Sequence, residues 1–225
     1  MLLINSNKHE RNLTTTERTV TLPDIEARPL IITISREFGS GGHEIGRKLA
    51  EKLGIPVYDK EIPELTAVQT GLSSEIIHET EDRNIYPFGL YTKGHYSQMP
   101  NRIFLEQSKV IEELAAKGSC VIMGRCADYV LHDKYPTLSV FVHAPLEMRV
   151  KRIVEYDGCT EKHAVRKITE SDKARAGYHN FYTNFEWGKS QNYDITINSA
   201  LGIESSVRTM LDLIEDCYGN LLKKR

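Results

Sequence analysis

Cysteine, long apolar runs and net charge are all scarce in this sequence of 225 residues. Four cysteines stand at positions 120, 126, 159 and 217, and no two of them form a C-x-x-C motif, which argues against a zinc ribbon or a thioredoxin-type site. No apolar run approaches the roughly 20 residues that cross a membrane, and Met1–Ile4 is too short for the core of a signal peptide. We therefore expect a cytoplasmic protein with reduced thiols and no membrane partner.

The charge of the chain is almost balanced, but it is unevenly distributed. The formal net charge is −2, from 29 basic and 31 acidic residues, which argues against a nucleic-acid partner. Residues 56–85 nevertheless carry seven acids and two bases, whereas residues 149–175 carry eight bases and five acids. We expect the basic segment to lie beside an anionic ligand.

Short β-branched segments alternate with helical patterns from Pro29 onward, whereas residues 1–28 are polar and show no helical stripe. We predict a flexible extension over residues 1–28 and one domain over residues 29–225. The predicted strands cover residues 30–35, 57–58, 120–123, 138–142 and 195–197. Helices are predicted after the first strand, over most of residues 60–117 with residues 101–117 as the clearest, and over residues 146–155, 160–173 and 203–218. This alternation predicts an α/β fold with a five-stranded, mostly parallel sheet.

Polar segments follow four of the predicted strands. They are a glycine-rich loop, Asp59, Gly124-Arg125 and Asn198-Ser199. Ligands of parallel sheets bind beyond the carboxyl ends of the strands. The sequence therefore predicts that these segments meet at one edge of the sheet.

The glycine-rich loop reads S-R-E-F-G-S-G-G-H-E-I-G over residues 35–46. Glycines between a strand and a helix let several backbone N–H groups converge on an anion. A dinucleotide-binding turn needs G-x-G-x-x-G at the strand end. Here the third glycine, Gly46, comes two residues late, and Arg36–Phe38 separate the strand from Gly39. The longer loop favours a phosphate-binding P-loop, and a dinucleotide-dependent oxidoreductase ranks last among the alternatives.

A Walker A loop reads G-x-x-x-x-G-K-[ST], and this loop departs from it. Gly42 stands where the lysine belongs, and Arg36 stands in place of the first glycine. Arg36 is therefore the predicted substitute for the lysine cation. Ser40 is the candidate for a hydroxyl that contacts Mg²⁺.

The residues from Ile34 to Gly46, followed by L-G-I-P-x-Y-D-K over residues 53–60, resemble the cytidylate kinase-like family. This family is a bacterial branch of the P-loop nucleoside-monophosphate kinases. The resemblance runs from about residue 29 to about residue 218 and includes Asp172–Tyr182 and Tyr193–Ser199. It implies a three-layer P-loop kinase-like fold with a helical lid over about residues 149–190 and an acceptor-binding insertion. It also implies ATP as co-substrate, with Mg²⁺.

The resemblance also implies roles for individual residues. Donor phosphates would be held by loop residues Gly39, Ser40, Gly41, Gly42 and His43. The donor and the transition state would be contacted by Arg152, Arg166 and Arg175, with Asp172 orienting one of these arginines. The acceptor would be bound by Asp59 and Arg125, with Arg102 and Arg83 as weaker candidates.

The expected reaction is transfer of the γ-phosphoryl group of ATP to CMP or dCMP, with small-molecule nucleotides as partners. No general base is recognisable, which favours a phosphate acceptor that is already ionised near pH 7. The family's Gly-Arg-Asp is here Gly124-Arg125-Cys126-Ala127-Asp128, so the aspartate is displaced. This displacement and the acidic residues 56–85 leave two alternatives open. One is a kinase of another small metabolite, and the other, favoured by the missing lysine, is a non-catalytic nucleotide-binding regulatory protein.

Overall fold

The computed structural model describes residues 29–82 and 99–221. The predicted N-terminal extension over residues 1–28 and the acceptor candidate Arg83 lie outside the described residues. Within the part of the chain that is described, no helix is both long and apolar enough to cross a membrane.

Five parallel strands form one sheet in the order β2-β3-β1-β4-β5. The strands are β1 (Ile31–Arg36), β2 (Val57–Tyr58), β3 (Cys120–Met123), β4 (Thr137–His143) and β5 (Ile195–Asn198). All four pairings are parallel, which confirms the predicted sheet. Because β1 lies in the middle, the loop that follows it opens between the ends of β3 and β4.

Eight α-helices flank this sheet among the described residues. They are α1 (Gly42–Leu53), α2 (Glu61–Thr70), α3 (Ser74–Asp82), α4 (Met99–Ala115), α5 (Ala127–Leu131), α6 (Leu146–Asp157), α7 (Glu161–Thr183) and α8 (Ile203–Leu221). Two short 3₁₀ turns cover Ser190–Asn192 and Ser199–Leu201. Helix α7 continues ten residues beyond the predicted end at 173, through Gly177.

Two apolar clusters cover the two faces of the sheet. Ile32 and Ile34 of β1 pack with α1 and α8, while Ile31 packs on the opposite face with α4 and α5. The side chains of a strand alternate between faces, so one strand contributes to both clusters. The result is the three-layer α/β arrangement that the sequence predicts.

Aromatic residues fasten the end of α7 to α4. The rings of Phe104 and Tyr182 stack with centroids 4.0 Å apart, and the Tyr178 hydroxyl donates to Gln107 Oε1 at 2.8 Å. Tertiary packing of this kind outweighs the weak helix propensity of Gly177. It therefore explains why α7 is longer than its apolar pattern indicates.

Replacing Ile34 by alanine should lower the free energy of unfolding by about 3 kcal/mol, because it opens a cavity beneath α1. Ile34 is fully buried. Val68→Ala is the matched control, since Val68 is 81% exposed and its truncation should cost no more than about 0.5 kcal/mol. Urea unfolding of both variants measures the two values, and equal losses would contradict this account of the core.

Candidate functional site

The loop between β1 and α1 has the geometry of an anion site. Gly39 and Gly41 take left-handed φ values of 76° and 80°, which glycine adopts without a steric penalty. Gly41 is the N-cap of α1, and no described side chain caps this helix. The N–H of Gly42 makes one long bond to Ser40 Oγ at 3.4 Å, and Gly41 has no side chain to cap the N–H groups that follow. A helix N-terminus of this kind favours an anion.

Two cavities meet at this loop. The loop cavity, of about 590 Å³, is lined by the loop and by Asp59, Arg152, Tyr156 and Arg175 among others. The inner cavity, of about 240 Å³, lies between the ends of β1 and β3 and helix α7. Arg36 and Arg175 line both cavities, so these two side chains stand at the boundary between them.

Two glycines make room for the side chain of Arg36. A Cβ added to Gly42 would lie 2.6 Å from Arg36 Cβ, and one added to Gly124 would collide with Arg36 Nη1. Heavy atoms do not approach this closely without displacement. A lysine at position 42 and Arg36 in its present place therefore exclude each other.

Asp59, at the end of β2, joins three of the predicted site residues. Its Oδ1 accepts from Arg36 Nη2 at 3.3 Å and from Arg125 Nη1 at 3.1 Å, while its Oδ2 lies 3.0 Å from His43 Nδ1. Burial raises the pKa of Asp59, but the charges of Arg36, Arg125 and His43 outweigh burial, so that the pKa lies below its usual value. The carboxylate is therefore ionised and holds both guanidinium groups at the edge of the sheet.

Arg152 and Arg175 bind the backbone of the glycine-rich loop. Arg175 Nη1 donates to the carbonyl of Arg36 at 3.0 Å. Arg152 Nη1 donates to the carbonyl of Ser40 at 2.6 Å and to Ser199 Oγ at 3.1 Å. Both arginines also line the loop cavity, so the structure brings them next to the glycine-rich loop.

Asp172 orients an arginine that the sequence did not single out as a site residue. It pairs with Arg149 Nη1 at 2.5 Å, whereas the resemblance implied Arg152, Arg166 or Arg175 as its partner. The Arg149 residue is only 8% exposed. The signal that could have identified it is its position four residues before buried Ile153, on the inner face of α6.

The turn after β3 carries Arg125 in a rare backbone conformation. Gly124, Arg125 and Cys126 have successive φ values of 71°, 53° and 56°, and left-handed non-glycine residues cost of order 1 kcal/mol each. The displaced aspartate of this segment, Asp128, lies 3.0 Å from His179 Nε2 of α7. Sequence reasoning missed this buried pair, because its members are 51 positions apart.

Two predicted contacts lie apart from the others, and the hydroxyl of a third is buried within the glycine-rich loop. Arg166 is exposed on α7 and lies 3.8 Å from Glu170. Arg102 donates to the carbonyl of Thr70 at the end of α2 and lines neither cavity. Ser40 is fully buried, and its Oγ accepts from the N–H of Gly42 at 3.4 Å.

The chain is similar to known proteins in both sequence and fold. The model of the cytidylate kinase-like family matches residues 31–201. A cytidylate kinase of Pyrococcus horikoshii is 27% identical over 83% of this chain and 90% of its own length. A protein of Eubacterium ventriosum, described as uncharacterized, has a crystal structure that covers 83% of this chain and 98% of its own, with 32% identity and a TM-score of 0.63. A shikimate kinase of Bacteroides thetaiotaomicron shares the fold, with 16% identity, 84% of this chain and 99% of its own covered, and a TM-score of 0.50.

Asp59→Asn should lower the free energy of unfolding at pH 7, because it leaves Arg36 and Arg125 without their common carboxylate. Since the folded pKa of Asp59 is lowered, its contribution is fully present above the unfolded pKa of about 3.9 and is lost as the pH falls through the folded value. The difference in the free energy of unfolding between wild type and variant should therefore become smaller below about pH 4.

Urea unfolding at several pH values measures this gap. The matched control is Asp133→Asn, since the Asp133 side chain is 95% exposed and should show a small, nearly constant difference. A gap for Asp59→Asn that stays constant from neutral to acidic pH would contradict the role of its charge.

Proposed function

Since the chain belongs to the cytidylate kinase-like family, we propose that it transfers the γ-phosphoryl group of ATP to a nucleoside monophosphate, with CMP and dCMP as the foremost acceptors. One observation carries this proposal. Arg36 and Arg175 line both the loop cavity and the inner cavity, which is where a phosphoryl group would pass from a donor in one to an acceptor in the other. Phosphoryl transfer is catalysed mainly by positioning and by cations around the migrating group.

The donor phosphates bind in the loop cavity. Backbone N–H groups of Gly41 and His43, at the N-terminus of α1, would hold these phosphates. Mg²⁺ would neutralise charge on the donor's phosphates, and it is held largely by phosphate oxygens and water. Ser40 does not fit as its protein ligand, because it is fully buried and its hydroxyl oxygen accepts from Gly42.

Arg36 takes the place of the missing Walker lysine. Its side chain fills the space beside Gly42 where a lysine side chain would begin. Its Cβ and Cγ lie beside Gly42, and its guanidinium lies beside Gly124 and Asp59. The cation therefore comes from the end of β1 instead of from the loop, and it keeps its charge at all physiological pH values. The proposal therefore accounts for both the missing lysine and the unusual arginine.

The acceptor phosphate binds in the inner cavity, facing Arg36, Arg125 and Arg175. An acceptor oxygen forms the new bond to the γ-phosphorus, and the bond from that phosphorus to the β–γ bridging oxygen breaks, so that ADP leaves with the electron pair. The nucleophilic oxygen is already ionised, so no side chain has to remove a proton. The three guanidinium groups offset the charge on the equatorial oxygens.

A second candidate is the kinase of a smaller anionic metabolite on the same fold. The inner cavity of about 240 Å³ is below the 300–1,000 Å³ typical of ligand pockets. A cavity of this size favours a compact acceptor. Both candidates use the same donor side and the same arginines.

Incubation with MgATP and a panel of acceptors tests the proposal. We expect ADP and a nucleoside diphosphate, formed fastest with CMP or dCMP, whereas AMP, GMP and UMP should react more slowly. Product from a small phosphorylated or hydroxylated metabolite alone would support the second candidate. Nucleotide binding by calorimetry without turnover of any acceptor would contradict both and identify a non-catalytic binding protein.

Arg36→Ala should lower kcat at least about 100-fold, as expected when a cation that contacts the migrating group is lost. Arg36→Lys should recover part of the rate, because it restores the charge without the planar donors. Arg47→Ala is the matched control, since the Arg47 side chain is 57% exposed and pairs only loosely with Glu51 at 3.6 Å. Full activity in Arg36→Ala would show that this residue does not replace the lysine.

A further inference from the structure

Phe38 belongs to the glycine-rich loop, but its ring packs elsewhere. It lies one residue before Gly39, and its side chain contacts a small apolar cluster formed by α6 and α7. The buried members of this cluster are Ile153, Ala164 and Ile168, with Val150, Val154 and Cys159 packed around them. One loop residue therefore contributes to the only described cluster that lies wholly away from the sheet.

Both backbone polar groups of Phe38 are bound by the same two helices. Its N–H donates to Asp172 Oδ1 of α7 at 2.7 Å, and its carbonyl accepts from Arg149 Nη1 of α6 at 3.2 Å. Arg149 and Asp172 also pair with each other. Charge-assisted hydrogen bonds of this kind are stronger than neutral ones, so the peptide of Phe38 is fixed to both helices.

The Phe38 ring also contacts two cations of α7. Lys167 Nζ lies 5.5 Å and Arg175 Cζ 5.4 Å from the ring centroid. Both distances are within the range of cation–π attraction. Since Arg175 lines both cavities, the ring of Phe38 touches a side chain that the proposed reaction uses.

These contacts differ from those expected of a lid that swings over a stationary loop. A swinging lid needs a boundary with few contacts, so that it opens without disturbing the loop. Here the ring, the N–H and the carbonyl of one loop residue all bind the α6–α7 pair. Opening the pair would remove Phe38 from its cluster and break both of its charge-assisted bonds.

We propose that Phe38 is a positioning residue that joins the glycine-rich loop to the α6–α7 pair, so that the two open and close as one unit. The order of the loop then sets the position of Arg175. The mechanical part of this proposal stands on the contacts alone, whereas its effect on catalysis rests on the proposed function. It predicts that a ligand bound only to the loop also suppresses opening of α6 and α7.

Native-state hydrogen exchange of wild type and Phe38→Leu tests the coupling. In the variant we expect amides of α6 and α7 and the amide of Ser40, which donates to Glu37 O, to lose protection together by about tenfold. Amides of β1 and β3 should be unchanged. Inorganic triphosphate should raise protection of the loop and of both helices in wild type.

Two further variants keep the test decisive. Phe185→Leu is the matched control, because the Phe185 residue is 51% exposed and lines neither the loop cavity nor the inner cavity; its exchange should match wild type. If Phe38→Leu does not fold, Asp172→Asn should produce the same joint loss of protection, because it weakens the bond to the N–H of Phe38. Loss of protection in the loop alone, in the helices alone, or in neither would overturn the proposal.

Kinetics separate a positioning role from general loosening of the fold. Phe38→Leu should lower kcat about tenfold, with the KM of the acceptor nearly unchanged, and Phe38→Tyr should restore kcat because it keeps the ring beside Arg175. A fall in kcat that Phe38→Tyr does not restore would contradict the role of the ring. If wild type transfers phosphate to no acceptor, the proposed function fails while the exchange data still decide the coupling. If wild type is active and Phe38→Leu is unchanged in both measurements, the coupling fails while the function stands.

Discussion

Crowding of positive charge at one edge of the sheet is the constraint on which the rest of the site depends. Arg36 and Arg125 share the carboxylate of Asp59, and Arg149 pairs with Asp172. A buried cation without a partner is costly, so the site needs these carboxylates in order to fold. The same cations are then available to an anion, since phosphate oxygens can replace a carboxylate or a carbonyl as the acceptor. The acidic residues of the site therefore stabilise its arginines in the absence of an anion.

Much of the fold follows from local sequence patterns, whereas α5 and the end of α7 do not. The β-branched runs and their spacing predict all five strands and the parallel sheet. A parallel strand is buried on both faces, so its sequence is a nearly continuous run of apolar residues. The end of α7 was not predicted, since Gly177 interrupts its pattern. The helix continues because Tyr178 and Tyr182 pack on α4. Contacts between residues distant in sequence leave no periodic signal, so only the three-dimensional structure reveals them.

Some residues of the candidate site could likewise be predicted from local sequence patterns, and others could not. Residues that follow a strand or lie in the glycine-rich loop could be predicted, because topology brings strand ends together; Arg36, Asp59 and Arg125 meet in this way. The position of Arg149 before buried Ile153 indicates a buried arginine, but its role is not visible in the sequence, because it arises from Phe38, 111 positions away. The need for glycine at position 124 is likewise not visible in the sequence, because it arises from the guanidinium of Arg36 beside it. The sequence predicted which loops meet at the edge of the sheet, whereas the positions of the supporting side chains depend on packing.

In the proposed reaction, the arrangement of the cavities would bring donor and acceptor together. Arg36 and Arg175 line both, so two phosphate groups would share the same pair of cations. Without these cations the phosphates would repel each other strongly at close range. The two guanidinium groups between the cavities would reduce this repulsion. Arg175 also lies against the ring of Phe38. In the coupling that we propose, order in the glycine-rich loop would therefore decide whether this shared contact is available.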